Sequence, residues 1–133
     1  KQKTAYEIPK RDWSSDVCSS DLNKIVWQKR LKWPCASGSG LLSTASGLLF
    51  HGESDGNLVA YDITNGNELW KFQTGAGADA PVATYEIAGE QYVAILAGGN
   101  GIMRSFSGDN LWAFRLGGTV PPAPAPPLPW GQQ

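Results

Sequence analysis

Apolar and polar residues alternate along this chain in short runs, and no stretch sustains the spacing of an amphipathic helix. The alternation predicts strands at Lys24–Lys29, Leu41–Ser43, Leu48–Phe50, Asn57–Tyr61, Glu68–Gln73, Val82–Glu86, Gln91–Leu96, Ile102–Phe106 and Asn110–Leu116. Turn residues separate them. Thr-Ala-Ser-Gly lies between the second and third. Ser54-Asp55-Gly56-Asn57 carries the Asp-Gly pair of a type I′ hairpin, and Thr64-Asn65-Gly66-Asn67 follows as a second turn. Ala88-Gly89-Glu90 and Ser107-Gly108-Asp109 join the later pairs. Pro34–Gly40, Thr74–Ala80 and Gly98–Gly101 are small-residue loops, the last open to close backbone approach.

Three tryptophans, Trp27, Trp70 and Trp112, are 43 and 42 residues apart in similar phrases: NKIVWQK, GNELWKF and GDNLWAF. A four-stranded β-propeller blade runs about 40–45 residues. The expected fold is therefore all-β, with antiparallel four-stranded blades of a β-propeller. The chain has room for about two blades, whereas propellers typically use about 4–8. A blade cannot bury both of its faces alone, so this is read as part of a larger ring.

Composition narrows the function classes. A formal net charge of −1 gives no electrostatic case for nucleic acid or an anionic membrane. No apolar run approaches the ~18 residues of a membrane-spanning helix, and no signal peptide is read at the N-terminus. Cys18 and Cys35 form neither a disulfide framework nor a metal-ligand spacing. After Thr119, VPPAPAPPLP holds most of the nine prolines and prefers extended polyproline II. It reads as a semi-rigid linker or tail over 120–133.

Residues 12–22, DWSSDVCSSDL, are similar to the translation of a widely used short-read sequencing adapter. They carry Trp13, which breaks the tryptophan interval, and Cys18. Residues 1–22 are accordingly set apart from fold reasoning, as fusion scars are. Lys1–Arg11 then derives from another part of the gene or from another gene. The propeller portion is read as 23–119.

Ala60–Trp70, AYDITNGNELW, has a mechanical logic. Ala60 is small enough for close approach, and Asp62 can accept the free N–H groups of the turn. Gly66 supplies a positive φ, and Trp70 offers a flat face for packing between sheets. The phrase resembles the tryptophan-docking motif of the PQQ-dependent (quinoprotein) dehydrogenases, Ala-x-Asp-x-x-Thr-Gly-x-x-x-Trp. Ala60, Asp62, Gly66 and Trp70 fall on it, with Asn65 in place of Thr. Gly40–Asp62 and Gly75–Gly101 resemble the C-terminal blades of PQQ alcohol dehydrogenases.

The resemblance implies a periplasmic, normally eight-bladed enzyme that oxidises an alcohol, sugar or polyol by hydride transfer to PQQ. Ca²⁺ or a lanthanide would polarise the quinone. The catalytic Asp, the metal ligands and vicinal cysteines would lie in earlier blades, leaving this portion inactive alone. Relatives imply cofactor contacts at Gly99 and Asn100, and at Ser39 and Gly40, where the family's usual Trp is missing. A cytochrome c acceptor could follow the proline-rich segment, although no CxxCH haem motif occurs. The competing reading is a non-catalytic propeller of the same repeat family that binds proteins as a scaffold. His51, Asp55 and Asp79 read as plain strand-end, turn and loop residues, and Cys35 as a small loop or buried thiol.

Overall fold

The computed structural model describes residues 17–21, 24–33 and 39–128. Readings placed on Lys1–Arg11, Trp13, Cys35 and Trp130 lie outside the described residues. Those residues contain nine strands: β1 Val17–Asp21, β2 Lys24–Lys29, β3 Leu41–Ser43, β4 Leu48–Gly52, β5 Asn57–Asp62, β6 Glu68–Gln73, β7 Ala83–Ile87, β8 Glu90–Ala97 and β9 Asn110–Phe114. They build a two-stranded ribbon β1-β2, a four-stranded sheet β3-β4-β5-β6 and a three-stranded sheet β7-β8-β9. Every pairing is antiparallel and joins sequence neighbours. This is the up-and-down order of propeller blades, and the molecule is a partial β-propeller. The strand β1 falls within the adapter-like stretch and pairs with β2.

The middle sheet is covered on both faces, which is why β4 and β5 are almost continuously buried. Phe50, Leu58 and Ala60 point one way, into a core with Ala78, Val82, Val93 and Ile95. Leu49, Val59 and Tyr61 point the other way and meet Trp27 and Leu31 from the ribbon side. Alternation along the strand thus feeds two cores rather than one core and solvent. The three-stranded sheet differs. Val93, Ile95 and Ala97 face the shared core, while Leu96 and Leu111 share an exposed outer face.

The tryptophans cross between these layers. Trp27 donates its indole N–H to the Ile63 carbonyl (2.7 Å). Its ring lies over Gly66, where a Cβ would sit 2.6 Å from the ring atom Cε3. Gly66 has φ +73°, so glycine is required there by conformation and by contact. Asp62 accepts the Thr64 amide (2.8 Å), the Thr64 hydroxyl (2.6 Å) and the Asn65 side-chain amide (3.0 Å), and these bonds lower its pKa. Ala60 pairs directly with Trp70. Trp70 and Phe72 meet Phe114 edge-on at 5.4 and 4.9 Å, and Trp112 meets Phe72 at 5.1 Å. Trp112 also donates to the Thr74 carbonyl (3.0 Å).

Two local expectations are corrected. Ile102–Phe106 is not a strand: residues 101–104 form a turn, with Arg104 at φ +50°. Asn100 stops the strand by accepting the amides of Ile102 (3.0 Å) and Met103 (3.3 Å) on its side-chain oxygen. The Asp55-Gly56 turn is not type I′, because only Gly56 (φ +88°) takes a positive φ. The Gly56 amide bonds the Glu53 carbonyl (3.0 Å), the arrangement of a type I turn ending in a left-handed glycine. The turn with positive φ at both central residues is instead Ala88-Gly89, at +52° and +81°. The start of the proline-rich segment touches the sheet. The Ala123 amide bonds the Gln73 carbonyl at the end of β6 (3.0 Å).

Candidate functional site

Two loops pack together near the end of β4; the second carries Gly99 and Asn100, while Ser39 and Gly40 lie just before β3. The first, Thr74–Ala80, is held at its start by Thr74, whose amide and hydroxyl both reach the Gly56 carbonyl (each 2.8 Å). The Ala78 amide then bonds the Glu53 carbonyl (3.1 Å). The second loop runs from Gly98 to Gly108 and closes on itself through the Gly108 amide and the Gly98 carbonyl (3.2 Å). The two are stitched together, since Gly77 donates to the Phe106 carbonyl (2.9 Å) and accepts from the Gly99 amide (2.9 Å). Such pairing needs small residues, and the composition Gly-Ala-Gly-Ala supplies them.

Gly99 has φ +73°, and a Cβ there would meet the backbone of Phe106. Its missing side chain is filled by the chain itself, so it can present only backbone to a ligand. Asn100 has its side-chain oxygen committed to the turn, as described above. Gly101 differs: a Cβ there would meet nothing within 4 Å, so its backbone borders open space. Gly40 packs against Pro81, where an added Cβ would lie 3.3 Å from Pro81 Cβ. Ser39 and Gly40 are half-buried.

These segments share a buried polar group that the sequence reading missed. Asp79 is 6% exposed and His51 only 2%. Ser54 donates its hydroxyl to Asp79 Oδ1 (2.6 Å), and Ser105 donates to Asp79 Oδ2 (2.5 Å). Ser105 Oγ accepts the Asn100 amide (2.7 Å). His51 hydrogen-bonds the Gly40 backbone. Burial holds the His51 pKa below the ordinary value, and the Gly40 bond and the Asp79 charge only partly oppose it. The available signal was faint: one acid, Asp79, inside a loop otherwise of Gly, Ala and Thr.

A depressed histidine pKa has a signed consequence. Below the ordinary value of about 6.5 the unfolded chain takes up a proton that the folded one resists. Stability is therefore expected to be intact above that pH and to be lost as pH falls through the lower folded value. Denaturant midpoints of wild type and His51→Gln between neutral and acidic pH check this. The wild-type loss below the ordinary histidine value should be reduced in the variant.

Among the described residues, no group of three or more His, Cys, Asp or Glu side chains could hold a metal ion. No helix among the described residues is long and apolar enough to cross a membrane. Residues 4–93 match the family described as PQQ glucose/ethanol/alcohol dehydrogenase, β-propeller domain. The chain belongs to this quinoprotein family. The PQQ-family match runs through residues 12–22, the ribbon and the whole four-stranded sheet, and ends within β8. A 1-butanol dehydrogenase (quinone) from Thauera butanivorans is 44% identical over 59% of this chain and 14% of that protein. A quinoprotein ethanol dehydrogenase from Pseudomonas aeruginosa is 37% identical over 70% of this chain and 16% of that protein. The solved quinohemoprotein alcohol dehydrogenase ADHIIG from Pseudomonas putida superposes with a TM-score of 0.62 at 30% identity, covering 76% of this chain and 16% of that one. The quinoprotein chain thus spans less than a fifth of the length of these relatives.

Proposed function

We propose that this chain is the C-terminal part of a periplasmic PQQ-dependent dehydrogenase that oxidises an alcohol, or a related sugar or polyol. The observation that carries this reading is the family match together with the stitched glycine loops, whose backbone reaches open space at Gly101. PQQ, when bound, supplies the hydride acceptor, and Ca²⁺ or a lanthanide held by other blades supplies Lewis acidity.

The residues present fit part of a cofactor wall. Gly98–Gly101 and Ser39–Gly40 offer backbone groups unobstructed by bulky side chains, and the Asn100 side-chain amide adds a donor-bearing group. Their contribution is to orient the cofactor and exclude water from one side. The general base and metal ligands are assigned to earlier blades, so residues 23–119 alone would be inactive. The proline-rich segment 120–133 is assigned as a linker, and a cytochrome c, fused or separate, as electron acceptor.

The test is reconstitution of the protein expressed from its complete reading frame. With Ca²⁺ present, the apoprotein should bind one equivalent of PQQ, followed by absorbance titration, and should then reduce an artificial acceptor in the presence of short alcohols. A full-length protein that takes up no PQQ would instead be a protein-binding scaffold of the same repeat family.

A further inference from the structure

The buried carboxylate of Asp79 lies where the two candidate cofactor segments converge. Ser54 and Ser105 each occupy one of its oxygens, at 2.6 and 2.5 Å. The Ser105 arm continues to the Asn100 amide, so the carboxylate holds the turn after β8 through a single hydroxyl. On the other side, Pro81, two residues along from Asp79, packs against Gly40. Gly77 makes room for the junction. Any Cβ there would come within 2.5 Å of Ser105 Oγ and 2.8 Å of Asp79 Oδ2.

Stability alone does not call for a charge at this place. A buried ionised group is costly, and well-packed apolar residues would generally fill such a layer at lower cost. Hydrogen bonds to a carboxylate are short, directional and stronger than neutral ones. They fix the geometry of whatever they hold. What these bonds hold is the Gly99–Asn100 turn, whose side-chain and backbone groups, among the described residues, are otherwise engaged within its own loop and with Gly77.

We propose that Asp79 is a positioning residue that locks the Gly99–Asn100 turn into a rigid wall against the quinone cofactor. It touches no substrate and acts through Ser105. The inference rests on the reading that the complete protein binds PQQ.

Asp79→Asn and Ser105→Ala in the full-length protein test it. An asparagine presents an N–H₂ where one hydroxyl now donates, so one arm must reverse or break. Ser105→Ala removes only the arm to Asn100, and it carries the test if Asp79→Asn does not fold. Amide exchange at Asn100 should quicken in the apoprotein of either variant. The PQQ dissociation constant should rise about tenfold, as expected for one lost charge-assisted hydrogen bond, with a changed absorption spectrum of the bound cofactor. Wild-type affinity and spectrum in a folded variant would overturn the proposal, whether or not exchange quickens. A wild-type protein that binds no PQQ would instead sink the functional reading on which it rests, a result read before either variant is made.

Discussion

Gly52→Ala is expected to destabilise the propeller by about 3 kcal/mol or more, the upper range for overpacking a core. Gly52 ends β4, directly under the Thr74–Ala80 loop. A methyl there would be driven onto the Ala78 carbonyl oxygen and would come within 2.6 Å of Ile95 Cδ1. Neither neighbour can yield cheaply. Ala78 is fully buried and its amide is bonded to Glu53, while Ile95 is 1% exposed in the core between two sheets. Relief requires lifting the loop off the sheet, which would break the Ala78–Glu53 bond. It would also displace Asp79, one residue along. Denaturant unfolding of the full-length protein checks this. Gly101→Ala, where the added carbon meets nothing, should change the midpoint little. Equal midpoints for Gly52→Ala and wild type would show that the loop is not seated as described.

Trp27→Ala should cost about 3 kcal/mol, the low end for deleting a tryptophan from a packed site because this one is only half-buried. The ring covers Gly66 and packs on the cluster of Leu49, Val59 and Tyr61. Its removal opens the face that separates the ribbon from the four-stranded sheet. Trp27→Phe separates the two contributions. It keeps an aromatic face over Gly66 but strips the Ile63 carbonyl of its indole donor, and should cost about 1 kcal/mol. If the two variants were equally destabilised, the hydrogen bond rather than ring packing would dominate the clamp.

Gly66 shows how a repeat becomes architecture. It belongs by sequence to the motif that ends in Trp70, yet the ring it seats is that of Trp27, from the preceding ribbon. The interval of the low forties could be counted along the chain, but the partner of each tryptophan could not. Trp70 itself keeps 39% exposure and meets Phe72 and Phe114 rather than a glycine.

The strands were legible wherever period-two alternation and turn residues agreed. They include Lys24–Lys29, Leu41–Ser43 and Glu68–Gln73, whose bounds coincide in the sequence reading and the structure. Ile102–Phe106 failed because its β-type residues are outweighed by Asn100, whose side chain can satisfy two turn amides locally. Of the candidate site, the glycine segments could be picked out on the sequence. The carboxylate behind the Gly99–Asn100 turn could not, since Asp79 stands 26 residues from Ser105 and 25 from Ser54.

By itself, the sequence determined the antiparallel strands, the repeat spacing and the quinoprotein family, because each is written in local residue order: alternation, turn glycines and a motif within eleven consecutive positions. The tertiary structure alone decided which tryptophan lies on which glycine, that β4 and β5 are buried on both faces, and that Ser54, Asp79 and Ser105 meet. The physical reason is that burial and hydrogen bonding of these groups depend on contacts between loops far apart in the chain. A serine that donates to a buried carboxylate has the same local sequence character as one facing water.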